Sequence, residues 1–480
     1  FSLKNNSNHG PNATNDYITS DLFIRTAKEL APTFGVNIDT EEFNLFLKDT
    51  IDEFKINMEE GESLVNFEDY EHDSQWVYKS GIEPYYSNAY ENLISNKFPP
   101  KVTKTVMQNS LNILSSLGNP KDSSSWDRRG LIFGHVQSGK TSNFIGVIAK
   151  AADAGYRMII VLTTNDEKLR KQTQERIDEG FIGYKTGNDK RIKDGVGKLN
   201  KDYKQPINLT TTERDGLISP LTSTNITPDI IEDRPWVVVM KKEKRRLEAL
   251  HEFLSQDAIN NKIQQMPVLL IDDEADWASV NSKKDADKPT LINQCIRQIL
   301  ALYNKSSYVG VTATPFANIF INHKSYTEML EDDLFPRDMI YSLEAPENYL
   351  GGDKIFLDAE ASDRVIEHVN DAEDFFPTKR KIIPLDGIPK SLINAFHEFI
   401  IARCIRNIRG DRNKHCTMMI NASVYVDTTK RIFDEISDYY DLLKPAVMNN
   451  YMMEDDYAMK NLIMSQIKET FVRIFSSNIK

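Results

Sequence analysis

The sequence predicts an α/β protein built on a doubly wound parallel sheet. Three observations carry that reading: five short, fully apolar runs, helix-patterned stretches between them, and a glycine-rich loop at the first strand-to-helix junction. The runs are Leu131–Phe133, Met158–Leu162, Trp236–Met240, Val268–Ile271 and Tyr308–Val311. A strand buried on both faces reads as a continuous apolar run, the mark of a parallel sheet covered by helices on both sides. Between the first two runs lies KTSNFIGVIAKAADAG. It sets Phe144, Val147, Ile148 and Ala151 on one helical face and ends in Gly155 as a C-terminal cap. Strand, helix and strand make one βαβ unit, and the alternation continues over about residues 126–345.

The flanking regions follow. Residues 1–125 read as a helical N-terminal region. DLFIRTAKELAPTF places Leu22, Ile24, Ala27 and Leu30 at helical spacing, and EEFNLFLKDTIDEFKI does the same with Phe43, Phe46, Leu47 and Ile51. The polar stretch GNPKDSSSWDRRG then breaks the pattern. Residues 180–235 interrupt the α/β rhythm with a polar insertion carrying seven Lys or Arg between Lys185 and Lys204, read as a solvated insertion ahead of a nucleic-acid contact. Residues 346–388 are acidic and irregular, a connector. From 389 to 480 the pattern predicts a helix (Phe396, Phe399, Ile400, Cys404), a strand at Thr417–Ile420 and a helix over 427–443. This is the start of a second α/β domain, expected to be truncated by the end of the chain.

Composition bounds the class. The 480 residues are 40% hydrophobic and 27% charged, ordinary for a globular protein, and would form two to four domains. No apolar run reaches the roughly 18 residues a membrane helix needs. The first residues, FSLKNNSNHG, have neither a signal-peptide pattern nor an initiator Met, so a trimmed chain is expected. Cys295, Cys404 and Cys416 stand apart, each in or beside an apolar run, and read as inert thiols of a cytoplasmic protein. A formal net charge of −12 argues against a globally basic nucleic-acid binder and leaves room for a local basic groove.

The chemistry concentrates in three segments. GHVQSGKT, Gly134 to Thr141, matches G-x-x-x-x-G-K-[ST] in full. Its glycines let successive backbone N–H groups turn toward phosphate oxygens. Lys140 would face the β and γ phosphates, Thr141 would ligate Mg2+, and the helix behind points its positive end at the same anion. Gly134, Gln137, Ser138, Gly139, Lys140, Thr141 and Ser142 are therefore the nucleotide-binding candidates. VLLIDDEADWAS, residues 268–279, ends a strand in carboxylates at the edge where ligands bind in open α/β sheets. Asp273 is assigned to Mg2+ and Glu274 to the attacking water, with Asp272 able to share the metal role. In GVTATPFAN, Gly310 to Asn318, Thr312 and Thr314 follow the fifth run, where their hydroxyls could bond the acidic motif or the γ-phosphate region.

Weaker signals remain. The helix in TTNDEKLRKQTQERID would present Arg170, Lys171, Gln172 and Thr173 to phosphate backbones, with a solvated helix face as the plain alternative. Lys241 and Lys242, at the end of the third run, are equally ambiguous. The eight histidines form no HExxH, and PLDGIPK (384–390) imitates a nuclease signature only faintly.

On these residues the chain resembles the Z-one domain family. The likeness rests on GHVQSGKTSNFIGVIAKAADAGYRMIIVLTTNDEKLRKQTQERIDEGF, LLIDDEADWASVN and VGVTATPFANIFIN, over about residues 126–325. The resemblance implies a RecA-like core, ATP hydrolysis of the superfamily-two helicase type, a nucleic-acid substrate, and partner proteins with nuclease or ATPase domains in bacterial restriction and anti-phage systems. It also implies a complete second RecA-like domain, whose glycine- and arginine-bearing motifs are not recognisable between Thr417 and Lys480. The function expected is an ATP- and Mg2+-dependent motor or remodeller acting on DNA in a defence complex. The alternatives are an endonuclease component relying on an absent region or partner, and a nucleotide-gated scaffold.

Overall fold

In the computed structural model of the chain, the described residues are 21–34, 37–40, 43–45, 47–48, 58–65, 72–135, 139–187, 192–213, 234–256, 263–279, 290–319, 333–357, 362–363, 365–376, 387–410, 412, 415–423 and 425–476. They fall into two compact units, one of residues 1–36 and 47–351, the other of residues 37–46 and 352–480.

The first unit carries an eight-stranded sheet. Its strands are β1 (Glu62–Val65), β2 (Trp126–Gly134), β3 (Met158–Thr163), β4 (Ile207–Asn208), β5 (Trp236–Lys241), β6 (Val268–Asp273), β7 (Lys305–Thr312) and β8 (Met339–Leu343). Their order is β1-β8-β2-β7-β6-β3-β5-β4, and every pairing is parallel except β1 with β8. The five predicted runs lie on β2, β3, β5, β6 and β7. The chain leaves β2, crosses two strand positions to β3, and later fills the gap with β6 and β7. That return brings the carboxyl ends of β2, β7 and β6 side by side, and those ends carry the three motifs.

Helices cover both faces. One face packs against α1 (Tyr86–Ile94), α2 (Pro100–Ser116) and α3 (Lys140–Ala154) through Val161, Val239, Ile271 and Val311. The other packs against α4 (Lys244–Leu254) and α5 (Leu291–Leu300) through Ile160, Val238, Leu270 and Tyr308. Successive strand residues point to opposite faces, so residue parity assigns each side chain to one of two cores. Each aliphatic side chain buried there contributes about 1.5–3 kcal/mol, against about 1 kcal/mol for a typical helix cap. The helices of residues 86–116, expected within a separate N-terminal region, thus share the sheet's core. In that same region, residues 21–30 are helical with a 3-10 turn at 31–34, whereas the helix expected over 41–56 lies largely outside the described residues. The cores also depend on a close approach: a Cβ on Gly146 of α3 would collide with Ser110 of α2.

Between β3 and β5 runs α6 (Glu167–Ile177), capped by Asp166, whose carboxylate accepts from the backbone N–H groups of Lys168 and Leu169. A wider turn, Asp178–Ile182, extends it into the expected insertion. Asp178 is buried there and accepts from the Thr186 backbone and hydroxyl, and burial pushes its carboxyl up to about 6.

In the second unit α7 (Lys390–Ile408), α8 (Val426–Asn450) and α9 (Leu462–Ile474) pack with α9 against both others. No strand occurs among its described residues. The strand expected at Thr417–Ile420 is extended chain without a ladder partner, with Met419 83% exposed. An apolar run that short becomes a strand only beside another strand. No helix among the described residues is long and apolar enough to cross a membrane.

Candidate functional site

The site is built where β2, β7 and β6 end together. After Gly134 the loop passes through residues 136–138, so Gln137 and Ser138 lie outside the described residues. It re-emerges at Gly139 with φ +92°, a left-handed backbone that glycine adopts without steric cost. Gly139 caps α3, whose first residues, Lys140, Thr141 and Ser142, line the cleft, so the positive end of the helix lies at it. The Lys140 ammonium donates to the carbonyls of Gly134 (3.0 Å) and His135 (2.9 Å). Burial in the cleft lowers its pKa, against the opposing field of Glu274, Asp273 and Asp276. The Thr141 hydroxyl accepts from Arg176 Nη1 at 2.9 Å, and the Ser142 carbonyl accepts from the Tyr90 hydroxyl at 2.9 Å.

The two aspartates at the end of β6 separate cleanly. Asp272 shares the face of Leu270 and is fully buried. Lys242 forms an ion pair with its Oδ1 at 2.9 Å, and the Tyr308 hydroxyl donates to its Oδ2 at 2.7 Å. Its two carboxylate oxygens are thus taken by Lys242 and Tyr308, away from the cleft that Asp273 lines. Asp273 shares the face of Ile271 and lines the cleft with Lys140. Burial first, then the neighbouring Glu274, pushes its carboxyl up to about 6, while Lys242 and Lys140 pull it down.

The acidic loop is held from three sides. Lys242 donates to the carbonyls of Asp273 (3.0 Å) and Glu274 (2.6 Å), and Asn318 donates to that of Ala275 (3.1 Å). Glu274 adopts φ +54°, a conformation uncommon for a residue with a side chain and concentrated at functional sites. Gly310 lets the loop come close, since a Cβ there would sit 3.0 Å from that of Ala275. The hydroxyls of Thr312 (2.8 Å) and Thr314 donate to the two carboxylate oxygens of Asp276. The third motif thus bonds the acidic one through Asp276, a residue not singled out from the sequence.

Parts of all three motifs line one cleft of about 920 Å3. Gly139, Lys140, Thr141, Asp273, Glu274 and Thr314 form its charged end. Tyr90, Leu93, Ile94 and Phe98 form an apolar wall, and α6 adds Gln172, Thr173 and Arg176. A Mg2+ ion bound with a triphosphate needs few protein oxygens, because water and phosphate fill the rest of its shell. The Thr141 hydroxyl and the Asp273 carboxylate supply such oxygens. The half-buried Asp273 carboxylate, facing the cleft beside Glu274, would offer its oxygens to such a cation. Among the described residues no group of three or more His, Cys, Asp or Glu could hold a metal unaided.

The nucleic-acid candidates divide. Lys171 and Gln172 are exposed. Thr173 is buried and turned to the cleft wall. Lys241 is mostly buried and forms an ion pair with Glu167 at 3.2 Å. Arg170 is corrected. Its side chain is fully buried, donates to Glu167 and to the carbonyls of Thr211 (2.9 Å) and Thr212 (3.0 Å), and so anchors a returning loop instead of meeting a phosphate.

Residues 391–478 match the family model of the Z1 domain, which supports the Z-one family named by the resemblance. The resemblance was placed on about residues 126–325, and the match falls instead on the segment bearing α7, α8 and α9. No curated protein matches the chain.

Proposed function

We propose that the chain is a Mg2+-dependent ATPase with a RecA-like core, acting as a helicase-like motor or remodeller on DNA alongside defence-system proteins. One observation carries the reading. Lys140, Thr141, Asp273, Glu274 and Thr314 come from three separated segments and meet in one cleft at the N-terminus of α3. The Z1 match supports the family from which the DNA and defence context is taken.

Each residue then has a task. Lys140 leaves the Gly134 and His135 carbonyls for the β and γ phosphate oxygens. Glycine-borne N–H groups and the positive end of α3 meet the same anion. The base rests on the apolar wall of Leu93, Ile94 and Phe98. Thr141 and Asp273 would hold Mg2+, which neutralises phosphate charge when bound. Glu274 orients a water and accepts its proton. Thr314, on the cleft wall, would pass the presence or loss of the γ-phosphate to Asp276, which also holds Thr312. Changing Glu274 to Gln keeps the shape and removes the base. We expect ATP binding within about threefold of the parent and turnover reduced at least about 100-fold. Loss of binding in that variant would instead make Glu274 a structural or metal-anchoring group.

A second reading, a nucleotide-gated scaffold, draws on the second unit, where Val426, Phe433 and Leu462 are 70–83% exposed. Partner binding that requires ATP yet survives Glu274→Gln would favour it.

A further inference from the structure

The guanidinium of Arg176 lies in the proposed nucleotide cleft although no sequence motif points to it. It sits on the last turn of α6, on the helix face that also turns Gln172 and Thr173 to the cleft. Its Nη1 donates to the Thr141 hydroxyl at 2.9 Å. Arg170, two turns earlier, behaves oppositely: it is buried and committed to Glu167, Thr211 and Thr212, which fixes α6 beneath the exposed Arg176. The acidic neighbour Glu179 is paired with Lys97 at 2.6 Å, which reduces its pull on the arginine.

We propose that Arg176 is a phosphate-contacting arginine supplied by the same unit as the glycine-rich loop. This deepens the ATPase reading and rests on it. The hydroxyl that Arg176 grips is the one that would turn toward Mg2+ when the nucleotide binds. Its departure frees a guanidinium one hydrogen bond away from the start of α3, where the phosphates would lie. A guanidinium has five N–H donors in a fixed planar fork, so it can meet two phosphate oxygens together. In hydrolysis the water oxygen bonds to the γ-phosphorus as the bond to the β–γ bridging oxygen breaks. The electron pair leaves on the β-phosphate of ADP, and the water proton passes to Glu274. Negative charge spread over the γ oxygens meets Arg176, and an arginine so placed accelerates transfer by about 10³-fold or more. Arg176 thereby links the state of the nucleotide to α6, which also carries the exposed Lys171.

The test uses the full chain and compares Arg176→Ala and Arg176→Lys with the parent and with Lys140→Ala. Binding of Mg·ADP is measured against binding of Mg·ADP with aluminium fluoride, which imitates the transferring group. We expect Arg176→Ala to weaken the fluoride complex at least about 30-fold and Mg·ADP less than about threefold, with Arg176→Lys between parent and alanine. Turnover should fall by about 10³-fold with KM nearly unchanged. Because the side chain is exposed, the alanine variant should fold as the parent does. Unchanged affinity for the fluoride complex in Arg176→Ala, while Lys140→Ala still loses nucleotide, overturns the role of Arg176 and leaves the ATPase reading intact. A parent that binds no nucleotide overturns both.

Discussion

At the carboxyl edge of the sheet the two faces are in opposite states. On the face of α4 and α5, Asp272, Lys242 and Tyr308 form a closed group with an ion pair at 2.9 Å and a hydrogen bond at 2.7 Å. On the face of α3, Asp273 and Glu274 line an open cleft, and burial and Glu274 raise the Asp273 pKa against the pull of Lys242 and Lys140. The two aspartates are adjacent in sequence and differ only in strand parity. Closed polar groups give a core its register, and open ones hold charge ready for a ligand. Lys242 joins the two states, since its ammonium neutralises Asp272 and also binds the carbonyls of Asp273 and Glu274. The locked side therefore positions the reactive side.

Breaking the locked side should have the largest effect. Lys242→Met leaves a buried carboxylate without its cation and should cost about 3–5 kcal/mol in stability. Urea unfolding monitored for the sheet unit measures it. Adding Asp272→Leu to the same chain should recover much of the loss, because the stranded charge is gone. A single variant as stable as the parent would mean that the pair does not lock the loop. The adjacent Lys241 sharpens the contrast. It lies on the other face, in a partly exposed pair with Glu167, so Lys241→Ala should cost less than about 1 kcal/mol in the same experiment. Equal costs for the two lysines would erase the distinction between faces.

The sequence carried the local parts of this arrangement. β3, β5 and β6 were legible because strands covered on both faces are continuously apolar, and the glycine-rich loop was legible because its residues are consecutive. β1 and β8 were not: β1 is a four-residue edge strand, and β8 beside it alternates in burial, unlike the strands covered on both faces. Asp272 and Asp273 could not be told apart until parity was anchored by which core Leu270 and Ile271 join. Arg170 read as a phosphate contact because basic residues on a helix look alike until a distant segment, here Thr211 and Thr212, returns to meet one of them. Arg176 escaped notice for the same reason in reverse, since its partner Thr141 is remote in sequence. Thr417–Ile420 has the composition of a strand and, among the described residues, no ladder partner.

The central claim is that the open face binds and hydrolyses ATP. It is tested most directly by ATP turnover of the full-length protein with Mg2+, measured with and without single- and double-stranded DNA beside Lys140→Ala. We expect DNA-stimulated turnover in the parent and, in the variant, a nucleotide affinity at least about 10-fold lower, since Lys140 supplies a charged hydrogen bond to phosphate. Turnover or binding that is the same in Lys140→Ala as in the parent would contradict the assignment of the cleft.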